Sequence, residues 1–460
     1  MRAGVALTSD VVDLDAFYAL LTPRGQRALA EAGELMGADP VAAATALRRT
    51  YDAALTSAAL TQARLRERAV AKFGEDARPM YFTPHGLEQS TRAEVAAHRA
   101  RRLTKGDMGD AGDARSGDAG SGGSAADWAT EDGSTGGAVS GGGGRVGVRE
   151  LTVVDACCGI GGDFLALARA GCAVTAVDID PLTVAVARAN AEALGLGGRV
   201  AVEVADAAGV EPEGYDVLFA DPARRTARGR TFDPMAYSPP WPVVLDLISR
   251  AGRACVKVAP GIPYEFIPDG AEAEWVSYKG EVKEAALWTG GQGPARRATL
   301  LPGGHTLTAT GAEAPVGPIG RYVYEPDGAA IRAHLVGEVC ELVNGRLPDP
   351  MIAYITSDAP IDTPWAARYE IADVLPFSLK KLRAALRERK IGNVTIKKRG
   401  SAVDIERLRS DLRLNGENSA VIILTRIIDK PSVIIATRLY LREPPIRPLT
   451  AIFQFDPDGP

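Results

Sequence analysis

The feature that most constrains the fold is a short β-branched segment that runs directly into a cluster of glycines. Residues 151–154 read L-T-V-V, and D-A-C-C-G-I-G-G follows at 155–162. β-Branched residues favour a buried strand, and glycines permit the sharp turn from which a helix can begin near Gly162. The sequence therefore predicts the strand, glycine turn and helix that open a doubly wound α/β sheet.

Further predicted strands also end near acidic residues. We predict strands at 173–177, 200–204 and 215–220, with Asp178, Asp206 and Asp221 at or just beyond their ends. Asp180 is expected to cap the next helix, with Pro181 at its first position, where a missing N–H costs nothing. Because parallel strands present their carboxyl ends at one edge of a sheet, we expect the carboxylates to gather there.

The order of these motifs resembles that of class I S-adenosylmethionine-dependent methyltransferases over residues 147–310. Residues 153–190 are most similar to trimethylguanosine-synthase-like RNA methyltransferases. The resemblance implies a Rossmann-like sheet with S-adenosylmethionine as cofactor. The expected cofactor-binding residues are Asp155, Gly159, Gly161, Gly162, Asp178 and Asp206. In this assignment Asp155 accepts a hydrogen bond from the ligand ammonium, Asp178 from the ribose hydroxyls and Asp206 from the adenine amine.

A nicotinamide-dependent dehydrogenase is the main alternative, because it shares the strand, the glycine turn and the acidic residue. In a dinucleotide fingerprint the third position after Gly161 is small so that the helix packs closely, but Phe164 stands here. A methyltransferase holds no pyrophosphate at this turn and does not need a small residue. We therefore favour a methyltransferase over a dehydrogenase, and over a similar sheet that binds nothing.

The tip of the fourth strand, D-P-A-R at 221–224, is predicted to carry the reaction. In amino-directed nucleic-acid methyltransferases the corresponding segment reads Asp or Asn, Pro, Pro, then an aromatic residue. The resemblance implies that Asp221 and the Pro222 carbonyl accept hydrogen bonds from an exocyclic amine. Arg224 replaces the aromatic residue and, with Arg225, favours an anionic substrate, because a guanidinium can bind phosphate or stack on a base.

A second segment, S-P-P-W at 238–241, is similar to the motif that follows the fourth strand in trimethylguanosine synthases. It lies seventeen residues beyond Asp221 and precedes a predicted helix. We therefore interpret Ser238 as a helix cap with prolines near the first turn. Trp241 could still reach over the substrate.

We predict four segments along the chain. Residues 1–103 have apolar positions at helical spacing and predict a helical domain, whereas 104–146 are rich in Gly, Ser and Asp and predict a disordered insert. The resemblance implies a methyltransferase domain over residues 147–310, and the strand-like runs after a fifth strand at 254–258 fit the closing antiparallel hairpin that it also implies. Residues 311–460 predict a small mixed α/β domain.

Residues 376–441 resemble the THUMP-like domain attached to a bacterial group of such enzymes. Residues 81–92, Y-F-T-P-H-G-L-E-Q-S-T-R, are similar to the N-terminal region of the same group.

Charge is unevenly distributed. Residues 376–447 contain 17 Lys and Arg against 7 Asp and Glu, a net charge of +10, whereas the whole chain has −5. A basic segment in an acidic chain suggests a polyanion partner, here RNA, although a solvated charged surface is the alternative. The predicted phosphate contacts are Lys397, Lys398 and Arg399.

Composition excludes other classes. The chain is 46% apolar but has no apolar run close to the roughly twenty residues that span a bilayer, and acidic residues near its start argue against a secretory signal, so we expect a cytoplasmic protein. Five cysteines without C-x-x-C spacing and four scattered histidines predict neither a disulfide framework nor a metal site. The adjacent Cys157 and Cys158 are interpreted as small residues packed under the cofactor.

The function predicted first is methylation of a base in a structured RNA such as tRNA or rRNA. The alternatives are a methyltransferase for protein or for a small anionic molecule, and a protein that binds cofactor or RNA without turnover.

Overall fold

The computed structural model describes residues 13–104, 150–226, 229–230 and 233–438. The chain divides into two compact units. The first contains Met1–Glu272 and Ala286–Gly293, and the second contains Ala273–Ala285 and Pro294–Pro460. Apart from Thr104, the insert predicted at 104–146 lies outside the described residues.

The elements of the first unit are as follows. The helices are α1 (Leu14–Leu21), α2 (Pro23–Glu34), α3 (Pro40–Leu47), α4 (Ala53–Phe73), α5 (Pro84–Gln89), α6 (Ala93–Thr104), α7 (Phe164–Arg169), α8 (Pro181–Ala193) and α9 (Trp241–Arg250). The strands are β1 (Thr152–Asp155), β2 (Ala173–Asp178), β3 (Val200–Val204), β4 (Val217–Ala220), β5 (Arg225–Thr226), β6 (Gly229–Arg230) and β7 (Ala254–Val258).

Five of these strands form a parallel sheet in the order β3-β2-β1-β4-β7. Every residue of β4 and β7 is buried, as expected for parallel strands covered on both faces. The α/β class is confirmed, with β3 and β7 at their predicted bounds. This order places the carboxyl ends of β1, β2, β3 and β4 along one edge.

The N-terminal helices share a hydrophobic core with this sheet. Phe17 of α1 and Leu29 of α2 belong to the same buried cluster as Phe219 of β4. The buried amide of Asn190 in α8 fixes the connection between them. Its Oδ1 accepts from Tyr81 N at 2.6 Å, and its Nδ2 donates to the carbonyl of Tyr81 at 3.0 Å. The helical region is therefore part of the compact unit that contains the sheet.

The remaining elements, most of them in the second unit, follow in chain order. They are β8 (Glu272–Tyr278), β9 (Glu281–Thr289), β10 (Arg296–Leu301), β11 (His305–Thr308), β12 (Tyr322–Pro326), α10 (Gly328–Arg332), α11 (Val336–Leu342), β13 (Ile355–Ser357), β14 (Ala366–Pro376), α12 (Leu379–Glu388), β15 (Ile391–Lys398), α13 (Ile405–Leu412), β16 (Asn418–Ile427) and β17 (Lys430–Arg438).

The predicted hairpin is formed by β8 and β9, which are neighbours in the sheet and are joined only by Lys279 and Gly280. Both residues have positive φ, as two-residue hairpin turns require. Within the second unit, β10 runs parallel to β8, and β11 runs antiparallel to β10.

The C-terminal part of the second unit is a six-stranded sheet in the order β13-β12-β14-β17-β16-β15. On one face, Leu382 of α12 and Leu408 of α13 pack with Val394 and Ile422 of the sheet. This arrangement confirms a mixed α/β C-terminal region. No helix in the described ranges is both long and apolar enough to span a membrane.

Candidate active site

A cavity of about 1230 Å³ lies at the carboxyl ends of β1, β2, β3 and β4. It is lined by residues of the glycine turn, by residues that directly follow β2, β3 and β4, and by the N-terminal segment from Thr83 to Thr91. Typical small-molecule pockets measure about 300–1,000 Å³. The cavity can therefore hold a cofactor and part of a second ligand.

The three predicted glycines of the turn differ in whether they line the cavity and in the space around them. Gly159 lines the cavity with φ +53°, and a Cβ built on it would meet no atom within 4 Å, so its open side faces the ligand space. Gly161 has φ +106° and is absent from the lining; its Cβ would lie 2.8 Å from the ring of Phe164. Gly162 lines the cavity, but its Cβ would lie 3.0 Å from the backbone nitrogen of Thr91. Only Gly159 thus has the open position expected of a residue that a ligand approaches.

Asp178 stands in the cavity wall at the end of β2. Its Oδ2 accepts a hydrogen bond from Gly159 N at 3.1 Å, and its Oδ1 accepts from Asp180 N at 3.0 Å. Burial raises the pKa of this carboxyl. Each oxygen keeps acceptor capacity for a ligand hydroxyl. Asp180 caps α8 by accepting from Thr183 N at 2.9 Å, and Pro181 is the first helical residue, as predicted.

Asp206 and Asp155 lie in different surroundings. Asp206 lines the cavity after β3, where its Oδ1 accepts from Ala208 N at 2.9 Å. Asp155 is fully buried and does not line the cavity. Its Oδ1 accepts from Cys157 N at 3.3 Å, and its Oδ2 has no hydrogen-bond partner among the described residues. Burial, reinforced by Asp163, raises its pKa well above the ordinary value.

The adjacent cysteines are protonated packing residues. Cys157 lines the cavity, and burial together with the nearby carboxylates raises the pKa of its thiol well above the ordinary value. Burial has the same effect on Cys158. A thiol that stays protonated is a poor nucleophile, which agrees with the predicted packing role.

The tip of β4 brings Asp221, Pro222, Ala223 and Arg224 into the cavity wall. The Asp221 side chain is 22% exposed, and its Oδ2 accepts from Lys257 Nζ at 2.5 Å. Arg224 Nη1 is buried and has no hydrogen-bond partner among the described residues. The side chain of Arg225 lies outside the described part of the chain.

The interpretation of Ser238 as a helix cap is wrong. Ala223 N donates to Ser238 O at 2.8 Å, and Ser238 N donates to Ala223 O at 3.0 Å, so the two segments pair through their backbones. Pro240 occupies the position before α9, without a side-chain cap. This pairing, which joins residues far apart in sequence, brings Ser238 and its two prolines into the cavity wall.

Trp241 does not line the cavity, so it is not placed to cover a ligand there. It is buried. Its ring packs edge-on against Tyr237 and Phe266, with centroids 6.5 and 6.4 Å away. Its contribution is to the packing of α9.

Sequence reasoning missed the role of the segment from Thr83 to Thr91. Thr83 caps α5 by accepting from Gly86 N at 2.9 Å, and a Cβ on Gly86 would lie 2.4 Å from Ile160 Cγ2. Lys72 donates to the carbonyl of Ser90 at 2.9 Å. The segment therefore packs tightly against the glycine turn. The only sequence signal was the resemblance of residues 81–92 to the N-terminal region of related enzymes.

The second residue missed was Lys257. It lies in β7, whose sequence A-C-V-K-V is otherwise apolar. A charged residue inside a fully buried strand requires a partner, and that requirement is the signal that could have identified it.

The predicted phosphate contacts do not share one surface, because successive residues of a strand point to opposite faces. Lys397 Nζ pairs with Glu325 Oε2 at 2.6 Å. Arg399 donates to Ala353 O at 2.8 Å. Lys398 is exposed on the other face, where it donates to Val403 O at 3.1 Å.

Comparison with known families gives two functional matches. Residues 153–224 match the family described as a methyltransferase domain, and residues 366–438 match the family described as THUMP domain-like. Residues 13–69 match a domain of unknown function.

An uncharacterized S-adenosylmethionine-dependent methyltransferase of Mycobacterium tuberculosis H37Rv is 33% identical to this chain over 380 residues, which cover 79% of this chain and 90% of the relative. The chain belongs to the S-adenosylmethionine-dependent methyltransferases. It is an enzyme, and S-adenosylmethionine is its cofactor.

Two more distant similarities add detail. An uncharacterized RNA methyltransferase of Parasynechococcus marenigrum is 36% identical over 91 residues, which cover 19% of this chain and 20% of the relative. The solved structure of a protein from Porphyromonas gingivalis W83, described as a methyltransferase, covers 90% of this chain and 98% of its own, with 19% identity and a TM-score of 0.65. The second similarity establishes a shared fold.

The cavity fits the cofactor. Gly159 leaves open space at the turn, and the carboxylates of Asp178 and Asp206 suit a cation that carries hydroxyl groups.

Proposed function

We propose that this enzyme methylates a base of a structured RNA, such as tRNA or rRNA. The observation that carries the proposal is the arrangement at the tip of β4. There the Asp221 carboxylate and Arg224 line the same cavity as Gly159, Asp178 and Asp206. A hydrogen-bond acceptor for an amine and a cation for a phosphate or a base plane therefore lie beside the cofactor residues.

Each group has a specific task in this proposal. S-adenosylmethionine supplies the methyl group from its sulfonium. Asp178 and Asp206 hold the ribose and the adenine, with Gly159 leaving room for the ligand. Asp221, together with the Pro222 carbonyl, accepts hydrogen bonds from the substrate amine and orients it in line with the methyl group. Orientation of this kind supplies much of the rate enhancement of a group transfer.

Three observations support RNA as the substrate class: the THUMP domain-like match, the partial match to an RNA methyltransferase, and the basic segment at 376–447. Lys398 lies on the same face of β15 as Val394, which packs against α12 and α13, because side chains alternate along a strand. Lys397 and Arg399 lie on the opposite face. Lys380 and Lys381 of α12 are exposed. We infer that these lysines position the RNA by its phosphates, and that Lys397 and Arg399 contribute once their internal contacts open.

A methyltransferase for a small anionic molecule is the second candidate. Arg224 favours it as well, because the unpartnered Nη1 would pair with any anion that enters the cavity.

Transfer of a labelled methyl group to RNA, protein and metabolite fractions from a strain lacking the enzyme distinguishes these substrates. We expect label in structured RNA. Asp221→Asn should lose most turnover and keep cofactor affinity, whereas Asp178→Asn should weaken cofactor binding about tenfold or more, since a hydrogen bond to a charged group contributes about 1.5–3 kcal/mol. Asp246→Asn, at an exposed carboxylate, is the control. Label confined to another fraction would overturn the RNA proposal.

A further inference from the structure

We propose that Lys257 is a positioning residue that fixes the Asp221 carboxylate for methyl transfer, and that the N-terminal segment holds Lys257 in place through Thr91. The inference rests on the proposed role of Asp221. It extends the active site to two residues that contact neither the methyl group nor the cofactor in that proposal.

Lys257 lies in a strand whose five residues are all buried, and its side chain is 4% exposed. A lysine in such surroundings is costly unless its ammonium is paired. Its Nζ has two partners, Asp221 Oδ2 at 2.5 Å and Thr91 Oγ1 at 2.7 Å. The ammonium is therefore fixed between Asp221 at the tip of β4 and Thr91 of the N-terminal segment.

The Thr91 hydroxyl donates its only proton to Asp163 Oδ2 at 2.7 Å, so it can only accept from Lys257. Asp163 is 7% exposed and also pairs with Arg99 of α6. Charges thus alternate from Arg99 through Asp163 and Lys257 to Asp221, with the Thr91 hydroxyl between the two inner members.

The Lys257 ammonium engages only Oδ2 of Asp221, and Oδ1 makes no hydrogen bond within the described ranges. One carboxylate oxygen is thus fixed by the protein, and the other is left for the substrate.

The test compares kcat, KM and cofactor affinity in matched variants of the full chain. Lys257→Met should lower kcat about tenfold or more with cofactor Kd within about twofold of wild type, and Lys257→Arg should recover part of the loss because it restores the cation. Lys283→Met, on the β8–β9 hairpin, is the control for the same substitution.

Thr91→Val keeps the Lys257–Asp221 pair and removes only the hydroxyl, so it tests the proposal even if Lys257→Met does not fold. We expect kcat of Thr91→Val to fall severalfold with the KM for RNA unchanged. Thr91→Ser should recover most of the lost kcat. A folded Lys257→Met or Thr91→Val variant with wild-type kcat would overturn the inference. A variant whose cofactor affinity falls by the same factor as its kcat would also overturn it. A wild-type enzyme that labels no RNA would instead defeat the proposed function.

Discussion

Single carboxylates in this protein differ according to the donors around them. Asp178 has two backbone donors and lies in the cavity wall, whereas Asp155 has one donor, Cys157 N, and is fully buried. Desolvation penalises the charged form of both carboxyls, and hydrogen bonds offset part of that penalty. The net effect is larger for Asp155, which has fewer hydrogen bonds. Asp155 should therefore make folding stability depend on pH.

We predict that Asp155→Asn removes this dependence. The raised pKa means that the native protein keeps a proton that the unfolded chain releases above the ordinary carboxyl value of 3.8. Stability is therefore fully present below that value and falls as pH rises toward the raised pKa, by up to about 1.4 kcal/mol per pH unit. Asparagine stays neutral and keeps an acceptor for Cys157 N. Urea unfolding without cofactor, measured from acid to neutral pH, should show the variant gaining on wild type as pH rises.

Asp246→Asn provides the control, because Asp246 is exposed and pairs with Arg250 at the surface. Its stability curve should run parallel to that of wild type. A constant difference between Asp155→Asn and wild type across the pH range would contradict the raised pKa.

The positions of these aspartates were predictable because each ends a strand whose apolar run is visible locally. The partner of Asp221 was not. Lys257 lies on β7 and reaches Asp221 only because β7 is the neighbour of β4 in the sheet. Ser238 shows the same limit, since its pairing with Ala223 depends on a contact between distant segments.

Two elements from distant parts of the sequence meet in the wall of the cavity. Helix α5 and the glycine turn approach so closely that side chains are excluded on both sides. A Cβ on Gly86 would lie 2.4 Å from Ile160 Cγ2, and one on Gly162 would lie 3.0 Å from Thr91 N. The N-terminal segment is therefore expected to support the shape of the turn.

Gly86→Ala should test this support. The added methyl must displace Ile160, and overpacking of this kind costs about 1–3 kcal/mol. Because Ile160 lies inside the glycine turn, cofactor affinity should fall together with the free energy of unfolding. Calorimetric titration with S-adenosylmethionine and chemical unfolding measure the two effects.

Gly33→Ala is the matched control, since Gly33 lies in α2 and a Cβ there meets nothing within 4 Å. It should be neutral or stabilise by up to about 1 kcal/mol. Gly86→Ala with wild-type cofactor affinity would show that the turn keeps its shape without α5. From sequence, the resemblance of residues 81–92 to related enzymes was visible, but their packing against the turn was not, because roughly seventy residues separate them.

Across the whole molecule, charge is concentrated by region. The net charge of +10 in residues 376–447 stands against −5 for the entire chain. Internal pairing reduces what this excess offers to a partner, since Lys397 pairs with Glu325, and Arg389 with Asp373. Exposed cations, among them Lys380, Lys381 and Lys398, retain the positive charge that a polyanion could meet. Composition predicted the excess, but only the structure separates paired from exposed cations.

Binding of total tRNA by the full chain, measured over a series of salt concentrations, tests this distribution of charge. Each phosphate contact that is lost should reduce the slope of log K against log salt by about 1. We expect that reduction for Lys398→Gln and for Lys380→Gln, and a smaller one for Lys397→Gln, because that ammonium must first leave Glu325. Equal slopes in wild type and all three variants would remove these lysines from the RNA contact. A wild-type affinity that does not depend on salt concentration would exclude a phosphate-directed interface. A slope reduction for Lys397→Gln larger than that for Lys398→Gln would show that the Lys397–Glu325 pair opens when RNA binds.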